Sequence, residues 1–113
     1  MKTEKNSSQM RKGVLEFCIL TLLSDEDAYA SDVIQKLKLA KLIVVEGTLY
    51  PLLTRLKNDG LLTYRWEESK SGPPRKYYKI SEEGISYLAE LGNIWDELVD
   101  TVNNIRNINS KNK

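Results

Sequence analysis

Residues 47–61, Gly47-Thr48-Leu49-Tyr50-Pro51-Leu52-Leu53-Thr54-Arg55-Leu56-Lys57-Asn58-Asp59-Gly60-Leu61, constrain the fold more than any other stretch of the chain. Leu49, Leu52, Leu53 and Leu56 recur at helical spacing on one side, while Gly47, Pro51, Thr54 and Asn58 fall on the other, with Tyr50 and Arg55 on the flanks. A helix built this way is pinned by one face and offers the other. The offered face lacks the Lys/Glu mixture of an ordinary solvated surface. It is small, hydrogen-bonding and locally basic, which suits insertion between two phosphate-lined walls. Taken alone, the stretch fits an ordinary amphipathic helix equally well, so its neighbours decide. Pro51 sits near the start, where a missing N–H matters least, and Asp59-Gly60 supplies a left-handed stop.

A hairpin comes directly after this helix. Leu61 to Trp66 alternates as a strand, with Leu62, Tyr64 and Trp66 on one face and Thr63 and Arg65 on the other. Lys76 to Ile80 forms the returning strand, and residues 67–75 between them read as a polar loop shaped by Pro73 and Pro74. Lys70, Arg75, Lys76 and Lys79 make this hairpin a basic wing.

The chain before the helix is also helical. Residues 1–9 are polar and aperiodic, and are expected to form a flexible arm. From about Met10 to Ser24 the chain is apolar nearly all round, as a first helix clamped between other elements would be. The acidic loop Ser24 to Asp27 ends it, and a second helix capped at or just before Ser31 carries Val33, Ile34 and Leu37 on one face. Ile43 to Val45 suggests a brief strand in the connector. Three helices followed by a basic hairpin, over residues 10–80, is the order of a winged helix-turn-helix, a mainly α fold with a small β-hairpin.

After the hairpin, Ser81 is placed to cap a long helix whose Gly84 leaves the capping box incomplete. Leu88, Leu91, Trp95, Leu98, Val102 and Ile105 then succeed one another at steps of 3, 4, 3, 4 and 3, a heptad seam. Ile85, Ile94 and Val99 add a second apolar edge that one small domain would struggle to cover. Residues 81–108 are therefore expected to be a dimerisation helix, with the first helix of the same chain as the alternative partner of the seam, and 109–113 a disordered tail.

Composition narrows the chemistry. A chain of 113 residues, 41% hydrophobic and 29% charged, fits one domain that buries about two thirds of its unfolded surface. The net charge of +1 conceals a split: residues 29–80 hold ten Lys/Arg against five Asp/Glu, whereas residues 81–105 hold six acidic residues and no basic one. Only the middle of the chain can face a polyanion. There is no histidine, and the single cysteine, Cys18, lies in an apolar run, so the usual general base, zinc set and disulfide are all lacking. Asp25, Glu26 and Asp27 form a carboxylate run without a phosphate cradle. No enzyme activity, cofactor or metal is expected. Lys2, Lys5, Arg11 and Lys12 before the apolar run, with Ala28-Tyr29-Ala30 after it, imitate a secretory signal, but Glu16 and the acidic loop interrupt that pattern. No run approaches the roughly 20 apolar residues of a membrane span, so a soluble, cytoplasmic chain with no membrane partner is expected.

These elements point to double-stranded DNA. Thr48, Tyr50, Thr54, Arg55 and Asn58 can meet base edges or phosphates, and Lys36, Lys38, Lys70, Arg75 and Lys76 are phosphate candidates. The alternative is a winged-helix adaptor whose basic face meets an acidic protein. The segments Gly47 to Leu56, Asp59-Gly60-Leu61 and Gly72-Pro73-Pro74-Arg75-Lys76-Tyr77-Tyr78, in this order and spacing, resemble the PadR family of bacterial transcriptional regulators, over about residues 13–91. The resemblance implies a homodimeric repressor on a palindromic operator, of the small subfamily with one C-terminal helix. It carries DNA-contacting roles onto Thr48, Tyr50 and Pro51 in the helix and onto Arg75 and Lys76 in the wing. Tyr29-Ala30 departs from the family's usual Tyr-Gly, and Val45-Glu46 from its common serine cap. Trp95, paired with its copy across a two-fold axis, would form a flat slot for a planar apolar or aromatic effector, as the resemblance to small PadR-like proteins implies.

Overall fold

The computed structural model describes the backbone of residues 2–111, in the order α1 (Lys2–Asp25), β1 (Ala28–Tyr29), α2 (Ala30–Leu39), α3 (Glu46–Asn58), β2 (Leu62–Ser69), β3 (Gly72–Ile80) and α4 (Glu82–Lys111). The three helices, the wing and the long last helix stand where the periodicity put them. Helix α1, however, begins at Lys2, not near Met10. Residues 2–9 contain neither proline nor glycine, so nothing stops a polar lead-in from continuing the helix. Likewise α4 runs on to Lys111 through part of the expected tail, while Met1, Asn112 and Lys113 lie outside the described residues.

The core lies where α1, α2, α3 and the sheet meet. Leu15, Ile19, Leu20 and Leu23 of α1, Val33 and Leu37 of α2, and Leu49, Leu53 and Leu56 of α3 close on Leu62, Tyr78 and Ile80 of the wing. Among the described residues no polar or charged side chain is buried with them. This packing fixes the roll of α3: three leucines point inward, Leu52 is half-covered, and Thr48, Tyr50, Pro51, Thr54 and Asn58 are left outside.

The helix ends obey local chemistry. Gly60 adopts φ +81°, and the Leu61 amide donates to the Leu56 carbonyl at 3.0 Å, the left-handed stop expected of Asp59-Gly60. Helix α2 ends in the same way on Lys41 at φ +67°, a conformation a lysine adopts at some cost. At the start of α2 the Tyr29 amide donates to Asp32 Oδ2 at 3.1 Å, and at α3 the Val45 carbonyl accepts from the Thr48 and Leu49 amides. Asp32 and backbone bonds thus close the starts of both helices.

The sheet has three antiparallel strands in the order β1-β3-β2. Strand β1, only two residues, pairs Ala28 with Tyr78 and Tyr29 with Tyr77. It is too short to show alternation in the sequence. The brief strand expected at Ile43 to Val45 does not form: these residues are unpaired, with Val44 half-buried and Ile43 and Val45 exposed. The hairpin is also longer than expected, because Pro73 and Pro74 lie inside β3. Ser69 pairs with Gly72 and Glu67 with Arg75, so the two prolines face one residue of β2 across a bulge, where no ladder N–H is required of them.

Ser81 caps α4 as expected. Its hydroxyl donates to the Gly60 carbonyl at 2.6 Å and accepts from the Gly84 amide at 3.0 Å. A Cβ at Gly84 would lie 2.2 Å from the Leu61 carbonyl oxygen, so the glycine that spoils the capping box lets α4 press against the turn between α3 and β2. The molecule measures 61 × 35 × 21 Å, and its long axis reflects a 30-residue helix of about 45 Å.

Candidate nucleic-acid interface

A cleft of about 320 Å³ opens between the first turn of α2, the outer face of α3 and the wing. Tyr50 and Thr54 supply its α3 side, Trp66, Pro74, Arg75 and Lys76 its wing side, and Tyr29 and Ser31 its α2 end. A smaller hollow beside it is formed by Thr54, Lys57, Asn58, Tyr64 and Lys76. Tyr50, Thr54, Asn58, Arg75 and Lys76, predicted from helix spacing and from the basic wing, are therefore brought together on one side. Thr48 and Pro51 are exposed on the N-terminal half of α3, and Lys70 is exposed at the hairpin tip.

Aromatic rings hold the wing cations in place. The Arg75 guanidinium lies 4.0 Å from the centre of the Tyr29 ring, Tyr29 meets Tyr77 edge-on at 4.8 Å, and Arg65 lies 4.5 Å from Tyr77. Arg65 is itself bound to Glu67 at 2.7 Å and lies 3.7 Å from Asp27. Its hydrogen bond to Glu67 raises its pKa above the ordinary arginine value. Arg65 is thus a strut, and Arg75, at the other end of the column, faces the cleft. The Lys76 ammonium straddles Tyr64 at 4.7 Å and Trp66 at 5.6 Å.

Not every predicted cation joins this surface. Arg55 donates to Glu16 of α1 at 3.2 Å, so it leans toward the first helix and away from the cleft. Lys36 pairs with Glu26 on the far side of α2; that hydrogen bond lowers the Glu26 pKa and raises that of Lys36. Lys38 is exposed near the end of α2, outside the cleft. Among the described residues, the ion pairs fall on Lys36, Arg55 and Arg65, and Lys57, Lys70, Arg75 and Lys76 stand outside them. Sequence reasoning missed Lys57, Tyr29 and Trp66. Lys57 is three residues beyond Thr54 on the same helix, a spacing that could have found it.

The second exposed surface is apolar. Leu88 and Leu91, expected at a dimer interface, are partly buried against the core of their own protomer, because the first turns of α4 still lie over it. Beyond them Trp95, Leu98, Val102 and Ile105 are 40–55% exposed, joined by Ile94 and Ile108. A groove of about 520 Å³ between α1 and α4 is lined by Met10, Val14, Trp95, Leu98, Val99 and Val102, together with Asn103. Phe17 lies 6.3 Å from Trp95 at its edge.

Burial raises the pKa of the Cys18 thiol above its ordinary value. Among the described residues no cluster of His, Cys, Asp or Glu has the geometry of a metal site, and no helix is long and apolar enough to cross a membrane.

Comparison with known proteins agrees with this geometry. Residues 19–90 match the model of the transcriptional regulator PadR-like family. A PadR-like transcription factor from Bacteroides fragilis shares 67% identity, with 89% of this chain and 98% of that one covered, at a TM-score of 0.77. A PadR family transcriptional regulator from Eggerthella lenta is 33% identical over 91% of this chain and 90% of its own, with a TM-score of 0.85. A PadR-like regulator from Bacillus cereus is 41% identical over 86% and 95%, with a TM-score of 0.75.

Proposed function

The chain belongs to the PadR-like family of DNA-binding transcriptional regulators, and from that premise we propose that it acts as a homodimeric, cytoplasmic repressor of a palindromic operator. Helix α3 enters the major groove and offers Thr48, Tyr50, Pro51, Thr54 and Asn58 to base edges and phosphates. The wing lies along the backbone, where Lys70, Arg75 and Lys76 meet phosphates. The observation that carries this reading is the convergence of α3's polar face and the ring-supported wing cations on one cleft.

The dimer is formed through the exposed half of the α4 seam, Trp95, Leu98, Val102 and Ile105. That strip is too apolar to be left in water, and it is continuous with the groove against α1. Six acidic residues over 81–105 keep the helix itself from competing for DNA. A planar apolar or aromatic effector bound beside Trp95 would relieve repression by changing the distance between the two reading heads.

Footprinting on the DNA upstream of the chain's own coding region tests the operator. Two protected half-sites about one helical turn apart, related by a two-fold axis, are expected. Retention of an acidic protein with no protection of DNA would favour the adaptor reading instead. Quenching of Trp95 fluorescence by a planar ligand in a Trp66→Phe background tests the effector; no Trp95-dependent change would remove it.

A further inference from the structure

Trp66 is not accounted for by the fold. Its side chain is 61% exposed, although its neighbours on the same face of β2 turn progressively inward, Tyr64 half-buried and Leu62 1% exposed. The indole stands in the middle of β2, where the sheet is only two strands wide, and it takes no part in the core. One side of the ring is already occupied: Tyr64 meets it edge-on at 5.9 Å, and Lys76, its cross-strand partner, places its ammonium 5.6 Å from it. The rest looks across the cleft to Tyr50 and Thr54 of α3. An apolar plate on the wing therefore faces the helix across the cleft.

The geometry points to Trp66 as a DNA-contacting residue, whose indole packs against the apolar C–H edge of one nucleotide where the strand passes between α3 and the wing. The contact complements the cations beside it. Lys76 and Arg75 neutralise the phosphates, and the indole replaces water on the uncharged edge between them, so it adds affinity without adding a released counterion. The C–H edge belongs either to a deoxyribose ring or to a thymine methyl group, which present the same apolar chemistry. The contacts with Tyr64 and Lys76 already restrict the indole in the free protein, which lowers the freedom lost on binding.

This inference rests on the DNA-binding reading, and the test separates the two. The probe is a duplex selected by the wild-type protein from a random-sequence pool, and binding is measured across a salt series. Trp66→Ala is expected to weaken binding roughly tenfold while the slope of log K against log salt stays at the wild-type value. Lys76→Gln should instead flatten that slope by about 0.9, the share of one phosphate no longer neutralised. Trp66→Phe should recover much of the affinity, and since Trp66 faces solvent, all variants should keep the wild-type melting temperature. Replacing thymidine by deoxyuridine in the probe identifies the edge. A Trp66→Ala penalty that shrinks on this probe assigns the contact to the methyl group, and one that persists assigns it to the sugar. Unchanged affinity in Trp66→Ala, or a weakening accompanied by a flattened slope, would overturn the inference while leaving DNA binding intact. Failure of the wild-type chain to select any duplex would overturn the DNA-binding reading itself.

Discussion

The α3–wing surface and the distal half of α4 are both exposed, but they are exposed for opposite reasons. Under α3 the core is complete: Leu49, Leu53 and Leu56 are fully buried, and the outward side chains are polar groups and cations steadied by aromatic rings, with Pro51 and the Trp66 indole the apolar exceptions. Under distal α4 nothing is complete, since Trp95, Leu98, Val102 and Ile105 show large apolar side chains to solvent on an acidic helix. The first surface stands on a core closed within one protomer. The second leaves large apolar side chains in solvent. The difference teaches that a helix's exposure gains meaning from what it exposes and from whether the core beneath it is closed.

Gly84 joins the two regions, so its substitution should break both at once. Gly84→Ala sets a methyl group against the Leu61 carbonyl and Ile80, and overpacking of this kind should cost about 3 kcal/mol, read by urea unfolding. Unchanged stability would mean that α4 does not press on the turn between α3 and β2.

A change confined to the second region should separate it from the first. Leu98→Glu with Val102→Glu adds two charges to side chains already 52% and 44% exposed, so each protomer should stay folded. Sedimentation should then report a monomer, and affinity for a two-half-site duplex should fall about a hundredfold as the second head loses its tether. A variant that remains dimeric would place the interface elsewhere.

Smaller effects sharpen the boundary. Ser81→Ala removes the hydroxyl that links Gly60 to the first turn of α4 and should cost about 1 kcal/mol in thermal unfolding, with DNA affinity hardly changed. Arg55→Ala should do least. Its bond to Glu16 is a surface pair worth no more than ~0.5 kcal/mol after solvent screening, and DNA binding should change by no more than about twofold, because the side chain leans toward α1. A tenfold weakening of DNA binding would return Arg55 to the reading surface.

Much of this arrangement was legible in the chain. Leucines at helical spacing set the roll of α3, the Asp59-Gly60 stop and Ser81 cap formed as read, and alternation found the wing. Pairings and end effects escaped. Strand β1 has two residues and exists only because Tyr77 and Tyr78 lie beside it. Pro73 and Pro74 spoke for a loop because proline lacks a ladder donor, yet a bulge absorbs both. Trp66 looked like one more member of an alternating face, and only the fold shows that the core ends before reaching it. Arg55 and Lys36 counted equally with Arg75 as charges along the chain, while in space two are paired with carboxylates and one faces the cleft. In the α4 seam, six residues at one spacing divide between the protomer's own core and solvent, a division that depends on where α4 leaves the body.

The central claim is that two copies of one basic reading head, joined by α4, hold DNA together, and the salt dependence of operator binding tests it most directly. With about three to four phosphate contacts from each protomer, log K should fall against log salt with a slope of about −5 to −7, and Leu98→Glu with Val102→Glu should roughly halve it. A nearly flat dependence, or a slope unchanged in that variant, would contradict the account.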